Sequence, residues 1–570
     1  MFTRFRVTTH RGDDDLLTGG LGAAGVVSTV PPAFADRDAP TAPEVRRRAL
    51  WSNWRGIADL SPGSGYGRVY GSLTPVAGRE YHAFATVPGA RHPHRVMTQV
   101  PDHFDRRRRC LVVSASSGSR GVYGAIAVAG AWGLPRGCAV AYTDKGAGTD
   151  YYDLDAGRGV AADGTVAADR RATTFAVAAS GASGVAFPHA HSGDNPEADW
   201  GRHVRQAAEF GLQALADACP DAAPFTFDNT CVIAVGLSNG GGAVLRAAEE
   251  GDWLDAVVAA APNVCVAAPG ARSLFDYATE AALWMPAAFP HLRDAPHPLP
   301  AAQGVHRGAS LHASGVVDGV GTAAQARVAY DQLRAAGWEA PAVQAGALSV
   351  RFGLWRAVAA AYASAYGRFA VDAHPCGFRY AALDADGAAR PATATERASW
   401  WSDAGGIPPG AGIGLIESPS GDTDAAFAGL LCLRGLQTGG DAAAQRVQQG
   451  VAGTRAGAPR AGLPIVIVHG DDDGLIPPAF SSAPYVAQAR AAGGEVAYWR
   501  IARVQHFDSF LALPECGVRY RPLLPYIYAA LDRIDAALNG QAAGPRDASI
   551  APARASGLPL TLTDLAIPAV

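Results

Sequence analysis

The segment Cys231–Gly242, CVIAVGLSNGGG, constrains this chain more than any other. Cys231–Val235 is a short, continuous apolar run, the pattern of a strand buried on both faces. Gly236-Leu237-Ser238-Asn239-Gly240 follows directly, and Gly240–Glu250 then has helical spacing. A serine between a strand and a helix sits on a tight turn whose backbone is strained, and only small neighbours leave room for it. The helix that follows aims its free N–H groups at the place where a negatively charged oxygen would develop. In a chain with 67 glycines the five-residue pattern alone is weak, and a serine in a turn built for close packing would match it equally well. The flanking strand and helix make it read as a nucleophile elbow.

The same alternation extends on both sides. Tyr81–Val87 and His94–Val100 read as two strands joined by Pro88-Gly89-Ala90, an antiparallel start to a sheet. Cys110–Ala115, Cys138–Tyr142 and Leu254–Ala261 read as strands, and Tyr123–Trp132 and Trp200–Ala218 as helices. Pro464–Val468, helix Tyr485–Ala492, strand Val496–Ile501 and helix Leu523–Leu538 resume the rhythm. Such alternation predicts right-handed crossovers, a mostly parallel central sheet and helices on both its faces. With the elbow, that is the α/β-hydrolase fold. The predicted core comprises residues 72–265 and 462–540. Residues 266–461 break the rhythm, lean helical and carry aromatic clusters such as Trp400-Trp401. They are too long for a loop and read as a large inserted helical lid or substrate domain. Residues 1–71 read as an irregular, turn-rich segment, and 541–570 as a poorly ordered tail.

A nucleophilic serine needs a base and a group to orient it, and this fold supplies them in the order Ser, Asp, His. Pro464–Gly470 is followed by Asp471-Asp472-Asp473-Gly474-Leu475-Ile476-Pro477, and Val496–Ile501 leads into Val504-Gln505-His506-Phe507. The run from His469 to Pro477 resembles the acid loop of many α/β-hydrolases, in which the last aspartate is the acid. Asp473 is therefore the expected acid, with Asp471 and Asp472 as alternatives, and His506 the expected base. His469, at a strand end before Gly470, is expected to stabilise a turn. The oxyanion donors should be the N–H of Asn239 and one from Ser117 or Gly118, in the loop after Cys110–Ala115.

The remaining composition narrows the function. Hydrophobic residues make up 49% of the chain and charged ones 18%, enough for a large core. A net charge of −4 gives no basic excess for nucleic acid. The apolar stretch Leu254–Ala271 contains Pro262, Asn263 and Pro269, so no membrane span is expected. No secretory signal is visible in Met1–Val27, and the compartment is left open. The eight cysteines form no C-x-x-C, which sets aside a metal knuckle. A Cys219–Cys231 bridge is conceivable, but buried free thiols are the preferred reading. His189-Ala-His191 has the spacing of two metal ligands on a strand but lacks a third, so a solvated loop or a pocket wall is preferred. Arg106–Arg109 reads as a solvated turn. The chemistry expected of the serine requires neither cofactor nor metal, only a small-molecule ester.

Four segments carry a family resemblance: Asp14-Asp15-Leu16-Leu17-Thr18-Gly19-Gly20-Leu21-Gly22, Val100–Asp105 (VPDHFD), Asn195–His203 (NPEADWGRH) and Ser238–Gly242 (SNGGG). Together they resemble the 3-hydroxybutyrate-oligomer hydrolases and span most of the chain. The resemblance implies hydrolysis of short D-(-)-3-hydroxybutyrate oligomers to monomer, in polyhydroxybutyrate degradation, with Ser238 in the position of the family's active-site serine. Rival readings are a feruloyl-esterase or tannase-like enzyme, an acyltransferase, and a hydrolase-fold binding protein without catalysis.

Overall fold

The computed structural model describes residues 2–178, 181–295, 301–403, 407–408, 410–417, 423–555 and 557–568. The short apolar runs become the middle of a ten-stranded sheet. Its strands, in chain order, are β1 (Thr3–His10), β2 (Gly78–Ala85), β3 (His94–Pro101), β4 (Cys110–Ala115) and β5 (Ala139–Thr143), then β6 (Cys231–Leu237), β7 (Ala256–Ala260), β8 (Ile465–Gly470), β9 (Val496–Ile501) and β10 (Ala548–Ile550). Across the sheet they run β1-β2-β3-β5-β4-β6-β7-β8-β9-β10. The β1, β2, β3 and β5 neighbours pair antiparallel, and from β5 to β10 every pairing is parallel.

Alternate residues of each central strand face opposite sides, and both sides are packed. Leu111, Val113, Val232, Ala234, Val257 and Ala259 face α2 (Trp200–Ala218) and α3 (Asn239–Ala247). Val112, Ile233, Val235, Val258 and Val466 share a second apolar cluster. That cluster takes in α1 (Ala42–Ile57), α8 (Leu524–Leu538) and much of the insertion. This is an α/β-hydrolase fold.

Between β7 and β8 the chain leaves the sheet. It forms α4 (Leu274–Ala288), α5 (Ala340–Arg351) and α6 (Leu354–Gly367), with further helices at Ala301–Ala313, Thr322–Ala335, Phe427–Thr438 and Ala442–Ala452. The region is not purely helical. Arg379–Leu383, Ala389–Arg390 and Ile413–Ile416 make a small antiparallel sheet. After it, α7 (Ser482–Ala491) links β8 to β9.

Three expectations need correction. The first 71 residues are not irregular: β1 is an edge strand, and α1 buries Val45, Leu50 and Trp54. Asp15, in the first family-like segment, accepts the N–H groups of Leu17, Thr18 and Gly20, and Arg46 pairs with Glu80 at 2.8 Å. Residues 541–570 include β10, which pairs with β9. The predicted helix Tyr123–Trp132 is instead a 3₁₀ turn (Val122–Ala125), a π turn (Ile126–Gly130) and one α turn (Ala131–Gly133). Its glycines pack where side chains would clash: a Cβ at Gly124 would press on Arg120 and Ser116, and one at Gly130 on Tyr142. Cys219 and Cys231 are free thiols, the preferred reading of that pair, while Cys110–Cys138 and Cys376–Cys432 form disulfides not expected from the sequence. Among the described residues no helix is long and apolar enough to cross a membrane.

Candidate active site

Ser238 ends β6 and caps α3 with φ 61° and ψ −122°, a region that costs a non-glycine residue energy. Three backbone hydrogen bonds hold it there: its N–H donates to Ala260 at 2.9 Å, and its carbonyl accepts from Gly242 and Asn263 at 3.0 Å each. The glycines around it are sterically required. A Cβ on Gly236 would run into the Gly240 carbonyl, one on Gly240 into that of Ala115, and one on Gly242 into that of Asn263.

The three residues that sequence reasoning selected, 268 positions apart at the extreme, meet in one line. Ser238 Oγ lies 3.1 Å from His506 Nε2, and His506 Nδ1 lies 2.7 Å from Asp473 Oδ2. The carboxylate assigns the imidazole proton to Nδ1, which leaves Nε2 free to accept from the serine. Of the three consecutive aspartates, Asp471 turns away to Arg500, and Asp472 is pushed up to about 6, chiefly by burial with the Asp471 charge adding to it. Asp473 alone reaches the histidine. Its burial pushes the carboxyl up, but the His506 charge and the hydrogen bonds from His469 and His506 outweigh this and hold it well below the ordinary range. Leu475 and Ile476 N–H groups donate to its other oxygen at 2.8 and 2.7 Å.

His469 is more than a turn residue. Fully buried, it places Nε2 2.9 Å from the Ile476 carbonyl and 3.3 Å from Asp473 Oδ2, so that nitrogen carries the proton. Its Nδ1 then accepts from Ser482, which accepts from Tyr498. This chain braces the acid loop from behind. Asp508, two residues past the histidine, accepts the Leu523 and Leu524 N–H groups and ties the His506 loop to the start of α8.

Asn239 is the first residue of α3, so its N–H has no carbonyl one turn back. It shares a cavity with Ser117, Gly118, Ser238 and His506. Sequence reasoning found that loop but missed what holds it. Lys145, fully buried, donates to Ser116 Oγ at 2.8 Å and to the Gly118 carbonyl at 2.7 Å. His189 Nδ1 meets Ser119 Oγ at 2.6 Å. His189 and His191 are therefore buried on a one-turn helix, Pro188–His191, and not solvated. Burial, with Lys145 and His191 nearby, pulls His189 down to about 3, which keeps it neutral. No group of three or more His, Cys, Asp or Glu able to hold a metal occurs among the described residues.

The insertion covers the other side. From α6, Tyr362 accepts a hydrogen bond from Asn239 Nδ2 at 2.7 Å, and Tyr366 donates to Glu197 at 2.5 Å. Leu274, Leu354, Ala357, Val358, Ile407 and Leu475 make the cavity wall apolar.

A model of the family described as "3HB-oligomer hydrolase (3HBOH)" matches residues 2–555. The chain belongs to the 3HB-oligomer hydrolase family. It is accordingly a carboxylic ester hydrolase. It is 38% identical to the D-(-)-3-hydroxybutyrate oligomer hydrolase of Paracidovorax citrulli, over 93% of this chain and 86% of that protein. It is 37% identical to the protein of that name from Polaromonas naphthalenivorans, over 93% and 85%. Among solved structures, Candida antarctica lipase A aligns at 10% identity and a TM-score of 0.35, over 86% of this chain and 84% of the lipase. At that TM-score the fold assignment rests on the strand order and the elbow instead.

Proposed function

We propose that this enzyme hydrolyses soluble D-(-)-3-hydroxybutyrate oligomers to 3-hydroxybutyrate through an acyl-enzyme on Ser238. The observation that carries this is the hydrogen-bonded line Ser238–His506–Asp473, opening on an apolar cavity, in a member of the 3HB-oligomer hydrolase family. His506 Nε2 takes the serine proton as Oγ bonds to the ester carbonyl carbon, and Asp473 stabilises the imidazolium that results. The N–H of Asn239 and that of Ser117 or Gly118 receive the oxyanion; loss of one such donor costs roughly 10²–10³ in rate. The carbon–oxygen bond to the alcohol half breaks, and that oxygen leaves with the proton from His506. Water, deprotonated by the same nitrogen, then releases the acyl half. The residues 266–461 act in this reading as a lid, because α6 closes over Asn239.

Rapid quenching during turnover of the trimer, followed by mass analysis of the peptide that contains Ser238, tests the route. A hydroxybutyryl adduct on Ser238 is the expected result. Turnover with no adduct, together with an active Ser238→Ala variant, would exclude it.

A further inference from the structure

Besides Ser238, Asn239, His506, Ser119 and Tyr362, whose hydrogen bonds are described above, the cavity wall is apolar except at two places. Ser117 Oγ is buried there with no hydrogen-bond partner among the described residues, and so is Nη1 of Arg120. Among the described lining residues Arg120 is the one with a permanent charge. Of the four buried arginines among the described residues, Arg46 has Glu80, Arg95 has Asp150 and Arg307 has Asp424, while Arg521 is met by the carbonyls of Ala553 and Arg554. Arg120 has no carboxylate among the described residues. Its Nη2 donates to the Gly56 carbonyl at 3.2 Å, at the end of α1, which accounts for one side of the guanidinium only. Gly56 leaves room for it, since a Cβ there would overlap the guanidinium. Burial pulls Arg120 down to about 10, which still leaves a cation at neutral pH. Arg120 is half-buried, but its Nη1 is sealed from water, and a desolvated cationic N–H without an acceptor is costly where the wall beside it is apolar.

We infer that Arg120 receives the free carboxylate of the oligomer's acid end, with Ser117 Oγ as a second donor. This rests on the oligomer-hydrolase reading above. The chemistry of a hydroxyacid oligomer then sets the direction of attack. Its carboxylate belongs to the alcohol half of the last ester, so anchoring it presents that ester's carbonyl to Ser238. Oγ bonds to the carbonyl carbon, and the oxygen of the carboxyl-terminal unit departs with the proton from His506. The first product is free 3-hydroxybutyrate, its carboxylate on Arg120. The enzyme thus selects acids over neutral esters of the same length and removes units from the carboxyl end.

The test compares kcat/KM for 3-hydroxybutyrate trimer as the free acid and as its methyl ester, in the wild type and in Arg120→Met. A charge-assisted, two-pronged contact is expected to favour the acid by about ten- to a hundredfold in the wild type. The acid-to-ester ratio should fall to near one in Arg120→Met and recover in part in Arg120→Lys. The wild-type ratio decides alone if the variants fail to fold: equal rates on acid and ester overturn the inference while leaving the oligomer reading intact. An unchanged preference in Arg120→Met also overturns it. Wild-type enzyme that cleaves neither compound removes the oligomer reading and this inference together.

Discussion

In the proposed mechanism Lys145, which touches no reacting group, acts through the loop it holds. Its ammonium holds Ser116 and Gly118, and so fixes the loop that, in the proposed mechanism, offers an N–H to the oxyanion. Replacement by methionine keeps the length and removes both bonds. Lys145→Met should lower kcat by roughly tenfold to a hundredfold, less than outright loss of an oxyanion donor, with KM almost unchanged. A parallel rise in KM would point to collapse of the pocket instead. Burial pulls Lys145 down to about 7, against the charges of Asp144 and Glu197, which raise it, and with that of Arg120, which lowers it further. Its pKa in the folded chain lies below that in the unfolded chain, so between about pH 7 and the ordinary lysine range the unfolded chain binds more protons. The contribution of this group therefore makes folding more favourable as pH rises through that window. Urea titrations at about pH 7 and about pH 9.5 should show a larger gain in the wild type than in Lys145→Met; equal gains would contradict the assignment. None of this was legible in the sequence. Lys145 and His189 meet the Ser116–Ser119 loop, and Glu197 meets Tyr366, only in three dimensions, whereas Ser238, Asp473 and His506 sit at strand ends, where the fold's order of residues finds them.

The elements divide along the same physical line. Parallel strands buried on both faces are short apolar runs, so β4, β6, β8 and β9 were readable to within two residues. The edge strand β1, TRFRVTTH, is mostly exposed and looks polar, and β10 is three residues held by backbone pairing. The helix α1 was hidden for another reason: its inner face carries Arg46 and Asn53, so its apolar period is broken by buried polar groups. In the insertion, Cys376 and Cys432 close 56 residues of chain between α6 and the helix Phe427–Thr438. A loop of that size restricts the unfolded chain by about 4 kcal/mol when the bridge is formed. Cys376→Ser, Cys432→Ser should lose about 2–4 kcal/mol in urea unfolding relative to the oxidised wild type. No loss would mean that the bridge does not form.

At the scale of the whole molecule, the apolar cluster under one face of the sheet runs without interruption into the insertion, from Val258 and Val466 to Tyr277, Trp338 and Trp355. Tyr362 anchors that insertion to Asn239 on α3, and Tyr366 anchors it to Glu197 just ahead of α2. A site roofed in this way admits a chain end more readily than a flat solid. The enzyme should therefore release monomer from soluble trimer far faster than from a film of the polymer, and comparable rates would count against the roof as a selector. In the proposed function everything turns on Ser238 acting on 3-hydroxybutyrate esters. The most direct measurement is release of free 3-hydroxybutyrate from D-(-)-3-hydroxybutyrate trimer by the wild type and by Ser238→Ala. Rapid release that falls by roughly 10⁴–10⁶ in the variant is the predicted result. Release that persists in Ser238→Ala, or a wild type that cleaves p-nitrophenyl acetate but leaves the trimer intact, would contradict it.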